Sequence, residues 1–269
     1  MKEKDLKSIF IKSLFSGHIK NNIFPKISGN ICQEIKIKDE GYFRNFDLVI
    51  AIIKKRSDST IKYNSNEIFD NYYNILMRDS LFKRFASKEK CRIDWIQFYP
   101  IEIKSDNDVL DDRLPHQILN AILTFGRSLL ILDEHHSKKT KLNRTLRLLP
   151  TTIIGYTGKD DNFEVISSFN RLVTNGIFNI SKRRLSRVLI DNGIGNTKGN
   201  KIHRCLLQIQ RINQKLAFSE FYHENIDFGK EEIEFIKKLI DIDTLPDRRR
   251  LKELIEQTTN SKITDYISA

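Results

Sequence analysis

A strand, a helix and a second strand in close succession constrain this chain most. Ile93 to Lys104 reads as a strand. Pro115 to Phe125 carries Ile118, Leu119, Ile122 and Phe125 at helical spacing, and Gly126 suits the end of that helix. Ser128 to Leu132 is a short apolar strand. A strand–helix–strand passage of this kind makes a parallel, right-handed crossover. The fold class expected is therefore α/β, a central sheet flanked by helices.

The rest of the chain extends this frame. Leu6, Ile9, Phe10, Ser13 and Leu14 follow helical spacing, so residues 4–16 should form a first helix. Ile31 to Lys38 and Tyr42 to Ile53 read as two strands of a β-hairpin, with Lys38-Asp39-Glu40-Gly41 as the turn. Residues 54–92 look like a charged insertion with a helical stretch around Glu67–Phe85. Lys138 to Leu149 reads as a charged helix before Pro150. Two short strands follow, Thr152–Tyr156 and Phe163–Ser167. From Ser168 onward the pattern is helical, roughly over 168–175, 181–192, 198–223, 230–240 and 246–258. With 269 residues there is room for one α/β domain, 1–168, and a helical C-terminal lobe, 169–269.

Charge narrows the partners. The formal net charge is +11, which favours phosphate backbones or anionic surfaces. The excess is concentrated. Residues 171–215 hold ten Lys/Arg against the single acid Asp191, whereas residues 216–269 hold eight basic and twelve acidic residues. No window approaches the roughly 20 apolar residues that span a bilayer, and the lysine-broken N-terminus lacks a signal-peptide core. A cytoplasmic protein with no membrane partner is expected. Cys32, Cys91 and Cys205 are far apart and form no CxxC, so reduced, buried thiols are the simple reading. The adjacent His135 and His136 read as a surface turn.

The chemistry gathers around Glu102-Ile103-Lys104. Residues two apart on a strand share a face, so Glu102 and Lys104 project together while Ile101 and Ile103 turn to the core. By itself such a pair is also what a surface ion pair looks like. Asp47 stands in the apolar run Phe46-Asp47-Leu48-Val49-Ile50, where an acid is costly unless paired or bound to metal. Asp47 and Glu102 on neighbouring strands can supply the carboxylate oxygens that Mg²⁺ requires. Asp94 is nearer the triplet in sequence and competes for the role of first acid. Arg113 and Gln117, four apart on one helix face, follow the triplet directly.

Gly41-x-x-Arg44-x-x-Asp47-Leu48-Val49-Ile50, then Ile101-Glu102-Ile103-Lys104-Ser105-Asp106-x-Asp108, then Arg113-Leu114-x-x-Gln117, then an apolar strand closed by Asp133-Glu134, resembles the PD-(D/E)xK nuclease superfamily over roughly residues 1–168. The resemblance implies a restriction-endonuclease-like mixed sheet and a Mg²⁺- or Mn²⁺-dependent phosphodiesterase acting on DNA. In that reading Asp47 and Glu102 bind the metal, with Ile103 and Glu34 adding to the ligand set. Lys104 is the catalytic lysine, Gln117 assists, and Arg44 and Arg113 meet DNA. Phe46 stands where many members carry proline, and Ala121 stands where some branches carry tyrosine after the glutamine.

In the C-terminal lobe, Ser181 to Gly193 reads as a capped helix whose Lys182, Arg183, Arg184 and Arg187 are left for solvent or phosphate. Lys198, Lys201 and Arg204 would extend this DNA-binding surface. Such contacts carry affinity but no sequence information. Two other readings stay open: a non-catalytic DNA-binding protein that keeps the nuclease fold, and an RNA nuclease. A homodimer also stays open, because cutting both strands commonly takes two active sites.

Overall fold

A computed structural model describes residues 1–16, 31–38, 46–56, 80–110, 113–142, 151–158, 162–167, 200–226 and 228–239. The described elements are α1 (Glu3–Ser16), β1 (Ile31–Lys38), β2 (Leu48–Arg56), α2 (Ser80–Lys88), β3 (Arg92–Lys104), α3 (Arg113–Phe125), β4 (Leu129–Leu132), α4 (Glu134–Leu142), β5 (Thr152–Tyr156), β6 (Phe163–Ser167), α5 (Asn200–Tyr222) and α6 (Lys230–Leu239). The turn residues 39–41, most of the insertion, and the helices expected at 168–175, 181–192 and 246–258 lie outside the described residues.

The six strands form one mixed sheet in sequential order, β1-β2-β3-β4-β5-β6. β1, β2 and β3 pair antiparallel, β3–β4 and β4–β5 pair parallel, and β6 returns antiparallel to β5. The expected strand–helix–strand crossover is thus β3-α3-β4, and β4-α4-β5 repeats it.

β2 shows why the sheet needs cover on both sides. Leu48, Ile50 and Ile52 enter one buried cluster, while Val49, Ala51 and Ile53 enter the other. Every residue from Leu48 to Ile53 is buried. The first cluster is closed by Leu6, Phe10 and Leu14, one stripe of α1 at four-residue spacing. The second takes Leu81, Phe82 and Phe85 of α2, Ala121 and Phe125 of α3, and Ala217, Phe218, Phe221 and Tyr222 of α5. The C-terminal segment 200–222 is therefore part of the layer that covers the sheet. Gln210 and Asn213 of α5 donate to the carbonyls of Ile122 and Thr124 in the last turn of α3. Gly126, at a φ of 81°, closes α3 through its N–H to Ile122 O, as its position in the sequence implied.

α4 differs from the sequence reading. It begins at Glu134, so His135 and His136 lie in its first turn and not in a surface turn. Asp133 caps it: its Oδ1 accepts the His136 N–H at 2.8 Å and its carbonyl accepts the Ser137 N–H at 2.8 Å. The buried side of α4 is polar, His136, Ser137 and Thr140. It lies close on β5, where a Cβ at Gly155 would collide with the Ser137 hydroxyl. Cys91 is a free thiol and only half-buried, not buried as expected; the side chains of Cys32 and Cys205 lie outside the described residues.

Phe218 tests whether α5 and the sheet form one core. It packs edge-on against Phe82 and Phe85 and stacks on Tyr222. Phe218→Ala should cost roughly 3–5 kcal/mol, read as a lower urea midpoint for the whole transition. A local loss of α5 helicity that leaves the sheet's transition in place would contradict this packing.

Candidate active site

The register of β2 on β3 builds the site. Leu48 pairs with Ile101, so the next step of the ladder sets Asp47 across from Glu102. Ile101 and Ile103 belong to the α1-side cluster. Alternation then puts Glu102 and Lys104 on the opposite face, beneath the layer formed by α2, α3 and α5. The Asp47 carboxylate does not pair along the strand. Its Oδ2 accepts the backbone N–H of Ile103 at 2.7 Å, fixing one acid to the backbone between the other two site residues.

Lys104 Nζ donates to Glu102 Oε1 at 2.6 Å. Glu102 is 6% exposed, so that carboxylate has little water to stabilise its charge. Burial, first, and then repulsion from Asp47 push its pKa up to about 7, against the opposing pull of Lys104. Glu3, in the first turn of α1, adds further repulsion. One helical turn on, the buried Lys7 reaches the Asp47 carbonyl at 3.5 Å. The sequence reading missed both α1 residues. Their only signal was a charge at each of two positions four apart on the face that also carries Leu6 and Phe10.

The strand's exit is also held. Lys104 O accepts the N–H of Asp133. The next residue, Ser105, donates its N–H and its hydroxyl to Asp108 Oδ2 at 2.7 and 2.6 Å. His136 Nε2 bonds the carbonyl of Asp108 at 2.9 Å, which requires that nitrogen to carry the proton. A closed loop of hydrogen bonds thus joins Lys104, Asp133, His136, Asp108 and Ser105.

The other expected site residues are placed as follows. Glu34 sits opposite Ile53 in the β1–β2 ladder, six residues along β2 from Asp47, roughly 20 Å away at about 3.3 Å per residue. It is bound by Lys55 at 2.8 Å and Lys36 at 3.4 Å. Glu34 is therefore not brought to the Asp47–Glu102 pair. Asp94 lies eight residues before Glu102 on β3, roughly 26 Å along the strand, so Asp47 and not Asp94 is the acid that meets Glu102. Arg113 and Gln117 lie on the first half of α3, Arg113 exposed and Gln117 half-buried. Lys201 and Arg204 fall on α5. Arg44, Lys182, Arg183, Arg184, Arg187 and Lys198 lie outside the described residues.

Two facing carboxylates with a bonded lysine suit a hard cation such as Mg²⁺, which commonly takes one or two carboxylates and keeps several waters. Among the described residues, no group of three or more His, Cys, Asp or Glu side chains is arranged to hold a metal ion. The candidate donors are the Asp47 and Glu102 carboxylates. No family model, curated protein or solved structure matches this chain.

The raised Glu102 pKa sets a sign for stability. Between the ordinary value of 4.5 and about 7 the folded protein keeps a proton that the unfolded chain releases. The resulting stability is full below 4.5 and is lost as pH rises through 7, a change of roughly 3 kcal/mol for a fully expressed shift. Glu102→Gln should remove this dependence and be the more stable protein on the alkaline side. Denaturant unfolding of both proteins at mildly acidic and mildly alkaline pH measures the difference. Equal pH slopes would show that Glu102 is not shifted.

Proposed function

We propose that this chain is a metal-dependent DNA endonuclease of the PD-(D/E)xK class, with a restriction-endonuclease-like sheet. The observation that carries the reading is the placement of Asp47 opposite Glu102 at the end of adjacent strands, with Lys104 bonded to Glu102. Two acids held against each other in a poorly hydrated place destabilise the protein. A divalent cation between them would remove that cost, and a purely structural pair gains nothing from being kept there. The order helix, three antiparallel strands, helix and parallel strand also agrees with the motifs quoted from residues 41–134.

Asp47 and Glu102 would hold Mg²⁺ or Mn²⁺, which when bound supplies Lewis acidity and a more acidic water. The chain's own residues have separate tasks. The Ile103 N–H holds the Asp47 carboxylate close enough to Glu102 for the two charges to repel. Lys104 is next to Glu102 and brings a positive charge to a site that will receive a phosphodiester. There it can orient the attacking water and stabilise charge on the pentavalent phosphate. The hydrogen-bonded loop from Lys104 to His136 fixes the peptide behind that lysine. DNA is favoured as substrate by the family resemblance, and the net charge of +11 supplies non-specific attraction to any polynucleotide.

Lys104→Ala should lower Mg²⁺-dependent cleavage of duplex DNA by roughly two to three orders of magnitude while leaving calorimetric Mn²⁺ binding in place. Asp47→Asn should weaken both. Cleavage of RNA but not DNA by the parent would move the assignment to a ribonuclease. Duplex binding without metal binding or cleavage would instead make it a non-catalytic DNA-binding protein.

A further inference from the structure

On the α1 side of the sheet, away from Glu102 and Lys104, a guanidinium is set up with no counter-charge among the described residues. Arg127 lies just after Gly126 and two residues before β4. Its Nη1 donates to Gln97 Oε1 and, at 3.2 Å, to the Tyr99 hydroxyl. The Tyr99 ring lies against the cation, 5.0 Å from centroid to guanidinium carbon. Both hydrogen-bond partners are neutral. Among the described residues no carboxylate reaches Arg127, and the Nε–Nη2 edge has no acceptor.

That edge is the one that meets carboxylates and phosphates in a two-bond fork. Arg127 is half-buried, so solvent reaches it. Gln97, by contrast, is 4% exposed. Its Oε1 takes the donors from Tyr99 and Arg127, leaving Nε2 a buried donor with no partner. A buried amide donor left unsatisfied destabilises the fold, and burial pulls the Arg127 pKa down, against Tyr99. One oxyanion could answer both groups.

Among the described residues, the neighbouring strand offers no acid to do so: β5, whose Thr152 pairs with Leu129, carries neither Asp nor Glu. We infer that Arg127 and Gln97 form a binding site for a phosphate oxyanion, separate from the Asp47–Glu102 site. Arg127 lies five residues before Leu132, the partner of Lys104, roughly 16 Å along extended chain, and on the other face of the sheet. The proposal does not depend on the chain being a nuclease.

The test is thermal unfolding of the full chain in inorganic phosphate against chloride of equal ionic strength, with a short single-stranded oligonucleotide as a second arm. Phosphate should raise the midpoint of the parent and of Lys104→Ala. The rise should vanish in Arg127→Met and shrink in Arg127→Lys, which keeps the charge but not the fork. A shift with the oligonucleotide alone, still lost in Arg127→Met, would identify a polynucleotide phosphate as the ligand in place of the free ion. Arg127→Met also removes the bonds to Gln97 and Tyr99, so the parent is probed as well by phenylglyoxal labelling read by mass spectrometry. Phosphate or oligonucleotide should protect Arg127 selectively. No Arg127-dependent shift and no protection in either arm overturns the site, as does an unchanged shift in Arg127→Met.

Discussion

The register of β2 on β3 is the constraint on which the rest depends. With Leu48 opposite Ile101, three apolar residues of β2 meet α1 and three meet the helices of the other face. A slip of one residue would turn every one of these side chains to the wrong layer. The same register puts Asp47 beside Glu102. The core and the site are thus set by one set of backbone hydrogen bonds. The acid pair can persist because the hydrophobic burial on both sides of β2 is far larger than the cost of crowding two carboxylates.

That cost is shared among contacts from several elements. The Ile103 N–H fixes Asp47, Lys104 offsets part of the charge on Glu102, and Lys7 from α1 reaches the Asp47 carbonyl. On the far side of the triplet, the α4 cap at Asp133 and the His136–Asp108 bond hold the exit from β3. Rigid support of this kind is what a reactive constellation needs, since small displacements of the participating groups are costly to rate. The Arg127 cluster follows a different plan: aromatic contact and one engaged nitrogen orient the cation, and no other described residue meets its fork.

Much of the site was legible because its chemistry is local. Glu102 and Lys104 share a face by strand periodicity, and Asp47 stood out as an acid in an apolar run. Helix α4 was misread because its buried side is His136, Ser137 and Thr140, which gives no apolar period, and because Gly155 makes room for so close an approach. Glu34 could not be judged from sequence, since its distance from the triplet depends on how far along β2 the hairpin pairs. The contributions of Glu3 and Lys7 were hidden for a similar reason: a charged residue on an amphipathic helix looks solvated until the packing angle is known.

By itself the sequence determined the α/β class, the positions of most described strands and helices, and the Glu-x-Lys pair, because these follow from side-chain periodicity and short-range steric preference. Tertiary structure decided which acid meets that pair. The sequence favoured Asp47 by its Arg-x-x-Asp-Leu-Val setting and kept Asp94 as a rival; the antiparallel register separates them, leaving Asp47 across the ladder from Glu102 and Asp94 near the far end of β3. It likewise brought residues 200–222 onto the sheet as a covering layer and gathered Gln97 and Tyr99 of β3 with Arg127 from the connection between α3 and β4. Long-range pairing fixes such meetings through the burial of whole faces, and that information is spread over the chain and not carried by any one motif.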